Sequence, residues 1–89
     1  MAKKIGVVVR DRQGEALRMS LGLIVLDDEV DILVTEPLSD DTKDFLDSEV
    51  KELVANVYTT VPIPGVDIQQ LSQEELAAKL LEYDNILPY

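Results

Sequence analysis

Cysteine, histidine and tryptophan are absent from the chain. Without cysteine there can be no disulfide, no thiolate nucleophile and no zinc–thiolate site. Without histidine the usual general base and the commonest metal ligand are missing too. Basic residues are scarce: eight Lys and Arg stand against eighteen Asp and Glu, for a formal net charge of −10. No basic face for nucleic acid can be assembled from so few cations, and anionic membrane surfaces repel such a chain. Linkers, repeats and low-complexity segments are also lacking. The apolar run after "MAKK" is far too short for a signal peptide or a membrane span, so the expected location is cytoplasmic.

What remains is a chain of 89 residues, 46% of them hydrophobic. That length supports one domain, residues 1–89. A domain of this size buries only about 60–65% of its unfolded surface and is marginal alone. With no disulfide or evident metal cage to staple it, oligomerisation is the expected source of further stability.

The pattern alternates between two periods. "KKIGVVVRD" holds a continuous β-branched run, Ile5 to Val9, as in a strand buried on both faces. "GEALRMSLGLIVLDD" reads as a helix with two apolar stripes. One is Leu17, Leu21 and Ile24; the other is Ala16, Met19, Leu23 and Leu26. A helix covering a sheet needs only one stripe. The second either completes a small core or meets another subunit, which makes Met19, Leu23 and Leu26 the expected contact residues. "EVDILVT" (29–35) is a second, mostly apolar strand. Ser39 or Asp40 can cap the next helix, expected over about 40–55, with Asp40, Asp41 and Asp44 suited to its positive end and one apolar stripe of Phe45 or Leu46, Val50, Leu53 and Val54.

"NVYTTV" (56–61) is a third strand, "PIPG" (62–65) breaks the chain, and "VDIQQL" (66–71) reads as a short, half-exposed strand. "LSQEEL" is a capping box, Ser72 with Glu75, flanked by Leu71 and Leu76 as a staple. Its helix is expected to run to about Tyr83. "NILPY" is a last strand, which Pro88 confines to a sheet edge. Strands alternating with helices predict an α/β three-layer sandwich, a mostly parallel sheet of four to five strands with helices on both faces, flavodoxin-like in style.

Three loops invite a chemical reading. The first strand–helix turn, "VVRDRQGEAL", offers Arg10, Arg12 and Gln13 beside a helix N-terminus, where an anion or a nucleotide phosphate could bind. Its single glycine matches no phosphate-loop motif, and both arginines could instead pair with Asp11, Glu15 or a neighbouring subunit. In the second turn, "ILVTEPLSDD", Glu36 with Asp40 or Asp41 could act as paired carboxylates or bind Mg²⁺, although acids at a helix start are ordinarily caps. The third, "TTVPIPG", has the hydroxyls of Thr59 and Thr60 but no base to activate them. No triad or metal-ligand cluster is recognisable, so no catalytic residue, metal or cofactor is assigned.

The stretch "KKIGVVVRDRQGEALRMSLGLIVLDDEVDILVTEPLSDD" resembles the opening of the DsrE/DsrF/DsrH-type proteins, the small sulfur-relay family that includes the TusBCD subunits. That family begins with a strand, a glycine-containing turn and a helix of the "EALRxALGLA" sort. The ending "VDIQQLSQEELAAKLLEYDNILPY" is similar to theirs as well. The resemblance implies a small α/β fold and assembly into dimers, trimers or hexamers, alone or with DsrE-like subunits. In active members it also implies a cysteine that carries persulfide sulfur, and no position here can match it. The expectation is therefore a non-catalytic oligomeric protein of DsrE-like kind. A small anion- or nucleotide-binding module is the alternative.

Overall fold

The computed structural model describes residues 3–25, 29–66 and 68–89. Five strands and three helices follow one another as β1 (Lys4–Val9), α1 (Gln13–Val25), β2 (Glu29–Val34), α2 (Asp40–Phe45), β3 (Asn56–Thr59), β4 (Gln69–Gln70), α3 (Gln73–Leu80) and β5 (Asn85–Pro88), with a π-helical turn, Leu46–Val50, continuing α2. The strands form one sheet in the order β4-β3-β2-β1-β5. Every pairing is parallel.

The chain steps outward from β1 to β2, β3 and β4, then α3 carries it back across the sheet to β5 on the far side of β1. Right-handed crossovers in opposite directions place helices on opposite faces. Strand alternation confirms this. Ile5, Val7 and Val9 of β1 and Val30, Ile32 and Val34 of β2 point to the face of α1 and join one core with Ala16, Leu17, Leu46, Val50 and Val54. Burying a Val- or Leu-sized side chain contributes about 1.5–3 kcal/mol each. Gly6 and Asp31 point the other way, to the face on which Tyr83, just past α3, lies. The expected three-layer α/β sandwich is therefore present.

Local chemistry explains the elements. Small residues, Ala16 and Ser20, line the inner face of α1 and are fully buried, so the helix can approach the sheet closely. The Ser20 hydroxyl donates to the Ala16 carbonyl at 2.9 Å, which satisfies it without an outside partner. Ser39 caps α2, accepting from the Thr42 amide at 3.3 Å. Helix α2 is shorter than its apolar stripe predicts. It passes into the π turn, where the Lys51 amide reaches the Leu46 carbonyl at 2.8 Å, and residues 51–53 already form a turn. Gly65 has φ of +84°, the left-handed conformation that lets "PIPG" reverse the chain. Strand β4 is only two residues, both exposed, shorter than the alternation of 66–71 predicts. Helix α3 also ends sooner than expected. Strand β5 is an edge strand paired to β1 alone, where Pro88 is tolerated.

The capping box is complete. Ser72 Oγ accepts from the Glu75 amide and Glu75 Oε1 accepts from the Ser72 amide, both at 3.1 Å. Ser72→Ala should lower stability by about 1 kcal/mol, with Glu75→Ala costing less. Chemical denaturation of the two variants measures both, and unchanged midpoints would show that the cap contributes nothing.

Candidate functional site

In open α/β sheets a ligand binds outside the carboxyl ends of the strands, at the point where strand order reverses. Here that point lies between β1 and β5. The turn after β1 carries Arg10, Asp11 and Arg12, and its free amides are what an anion would need. Those of Asp11 and Arg12 both donate to the main-chain oxygen of Tyr89, at 3.1 Å. The Tyr89 amide in turn donates to Val8 at 3.0 Å. The Tyr89 ring packs against the core, and the Arg12 guanidinium lies over it, 5.3 Å from the centroid. The reversal point is thus filled by the chain itself.

The three predicted anion-site residues do different things. Arg10 is exposed. Arg12 pairs with Glu15 at 3.6 Å, with both side chains largely in water, a contact worth less than about 1 kcal/mol. Gln13 ties two loops together: its Nε2 donates to the Pro37 carbonyl at 2.8 Å, and its Oε1 accepts from the Ser39 amide at 3.2 Å. That clip fixes the β2–α2 turn against the β1–α1 turn.

The remaining strand-end hydroxyls serve the backbone. Thr35 Oγ1 donates to the Val9 carbonyl at 3.3 Å. Thr59 Oγ1 donates to the Val61 carbonyl at 2.7 Å and accepts from the Val61 amide at 3.1 Å. Glu36, Asp40 and Asp41 are exposed. Among the described residues no group of three His, Cys, Asp or Glu could hold a metal ion, and no helix is long and apolar enough to cross a membrane.

Of the expected contact residues, Met19 is open, with 44% of its surface exposed. Leu23 is half-buried and packs against the core. Leu26 lies outside the described residues. Val25, at the end of α1, is 84% exposed.

The polar cluster that sequence reasoning missed lies on the opposite face. Asp31, in β2, the central strand of the sheet, has no exposed surface. One carboxylate oxygen accepts from Asn56 Nδ2 at 3.1 Å and the other from the Tyr83 hydroxyl at 2.8 Å. The register sets Asp31 between Gly6 and Asn56. Gly6 is there for Tyr83: a Cβ on it would stand 2.8 Å from the ring. Around the ring, Lys4 Nζ lies 5.5 Å from its centroid, and Lys4 and Lys79 both reach Glu82, at 3.5 and 3.7 Å. Lys79 also lies over the Tyr58 ring, 4.7 Å from the centroid. An aspartate in the middle of "EVDILV" was the available signal, because a lone acid in an apolar strand demands partners.

This cluster is structural. Burial first, and the hydrogen bond to Asp31 second, push the Tyr83 phenol well above its ordinary value of 10.0. The folded protein therefore keeps a proton that the unfolded chain gives up above about pH 10, so the stability it contributes is complete below that pH and is lost as pH rises further. Tyr83→Phe should cost about 1–3 kcal/mol near neutral pH, because a buried Asp31 oxygen loses its donor. The variant should also show a shallower alkaline fall in stability. Denaturation midpoints of both proteins from about pH 8 to about pH 11 test this, and parallel curves would assign the alkaline fall to other groups.

Comparison with protein-family models, with curated proteins and with solved structures finds no match to this chain, which leaves the geometry of its own residues as the ground for its function.

Proposed function

We propose that this chain is a non-catalytic subunit of an oligomer, of the kind that its resemblance to the DsrE-type sulfur-relay proteins implies. The observation that carries the reading is the closure of the strand-order reversal point. The Asp11 and Arg12 amides are spent on Tyr89, and the Gln13 amide is spent on Pro37 and Ser39. A crevice whose donors already hold the chain's own atoms is built as a joint. The sequence has no thiol to carry sulfur, so any part in a relay runs through a partner that supplies the cysteine.

The contact surface in this reading is the outer flank of α1. Met19 and Val25 are exposed there, and Gly22 between them has open space around it. Exposed apolar side chains grouped on one helix flank suit a subunit contact better than scattered ones do. Leu23 leans on the core, so a charge at that position would strike folding as well as assembly. Met19 separates the two effects.

Light scattering at micromolar concentration should show a dimer, trimer or hexamer, and Met19→Asp should shift it toward monomer while the circular dichroism spectrum is retained. A monomeric wild-type protein would end the proposal. After incubation with a persulfide donor, intact-mass measurement should show no gain of one sulfur atom on this chain; a mapped gain would mean that the chain has a sulfur-carrying chemistry of its own.

A further inference from the structure

An open cleft of about 190 Å³ lies between the first turns of α1 and α2, lined by Gly14, Arg18, Asp41, Thr42 and Phe45. It lies outside the closed reversal point and does not involve the Tyr83 cluster. Three properties distinguish it. First, it sets one arginine and one aspartate on a shared space. Among the described residues neither Arg18 nor Asp41 has an ion-pair partner. The two do not pair with each other either, and both side chains are exposed. Second, the floor is apolar: Phe45 is half-buried and packs against the core, so its ring is held in place. Third, the wall at Gly14 is bare, since a Cβ there would meet nothing within 4 Å. Thr42 adds a hydroxyl: its Oγ1 accepts from Ser39 at 2.7 Å, which leaves its own proton to donate into the cleft.

Opposite charges that line one space without closing on each other fit a molecule bearing both charges. A carboxylate would meet Arg18, whose planar fork suits it. An ammonium group would meet Asp41, with Asp40 and Asp44 on the same helix adding to the negative potential there. An apolar part would rest on Phe45. The volume falls below the roughly 300–1,000 Å³ of pockets for drug-sized ligands, which limits the occupant to amino-acid size. We infer that this cleft binds a free amino acid with an apolar side chain, the carboxylate on Arg18 and the ammonium on Asp41. Both charges are in water, where ion pairs are weak, so the dissociation constant should lie in the region of 1 mM.

The test is an amide chemical-shift titration of the full chain with L-leucine, run beside N-acetyl-L-leucine, which lacks the ammonium group, and L-leucinamide, which lacks the carboxylate. Leucine should give saturable shifts at Gly14, Arg18, Thr42 and Phe45. Each blocked analogue should bind at least about fivefold more weakly. Arg18→Gln should abolish the preference for leucine over leucinamide, and Asp41→Asn the preference for leucine over the acetyl derivative, both without change in the spectrum of the free protein elsewhere. Absence of saturable shifts overturns the inference. So do equal shifts with all three compounds, or shifts that survive both substitutions, because either result describes a surface responding to added solute.

Discussion

The face of the sheet beneath α3 is organised by one carboxyl group that has no contact with water. Asp31 stands in β2 between two other strands, where a hydrophobic residue would ordinarily sit, and leaving either of its oxygens unpartnered would cost about 1–3 kcal/mol. Its two donors come from distant parts of the chain: Asn56 opens β3, and Tyr83 follows α3. Each therefore locates its element. Asn56 holds the register of β3 against β2, and Tyr83 brings the turn before β5 down onto the sheet. The ring can lie flat only because Gly6 offers no Cβ. Lys4 completes the arrangement from β1, since its amide donates to Asp84 Oδ2 at 2.8 Å and its carbonyl accepts from the Asp84 amide at 2.8 Å. The two faces of the sheet thus differ: the α1 face coheres by apolar packing, and the α3 face, which also buries Leu33, adds directed polar contacts around one acid.

The carboxyl ends of the strands are treated in the same economical way. Tyr89 supplies the oxygen that the β1–α1 turn needs, and Gln13 supplies both a donor and an acceptor to the neighbouring turn. Backbone groups that would otherwise need water or a ligand are satisfied within the chain. This ties the first, second and last strands together at one end of the sheet.

Much of the architecture could be read from residue order. The β-branched run from Ile5 to Val9, the Ser72–Glu75 box, the break at "PIPG" and the proline in the last strand each encode a local preference, and each element appears where that preference puts it. Where neighbours decide, the sequence was less informative. The stripe through Phe45 or Leu46, Val50, Leu53 and Val54 predicts a longer regular helix, but a π turn brings Leu46, Val50 and Val54 onto the core over a shorter span and leaves Leu53 exposed. The alternation in 66–71 predicts a strand, yet among the described residues only Gln69 and Gln70 pair with β3. Asp31 and Tyr83 lie fifty-two residues apart, and no periodicity links them. The donors around Arg10 and Arg12 looked available because the residue that occupies them, Tyr89, lies at the other end of the sequence.

The strand order also bears on how the fold is reached. Strand β1 is made first and lies inside the sheet, but one of its two edges is covered only by β5, with contacts such as that from Lys4 to Asp84 spanning eighty residues. Closing a long loop costs little more at equilibrium than closing a short one, yet contacts of such sequence separation slow the search for the native state. Until β5 docks, the run "IGVVV" presents an uncharged, mostly β-branched edge, the kind that recruits other chains. The time that β5 takes to dock on β1 therefore sets how long this edge stays open to pairing with another chain.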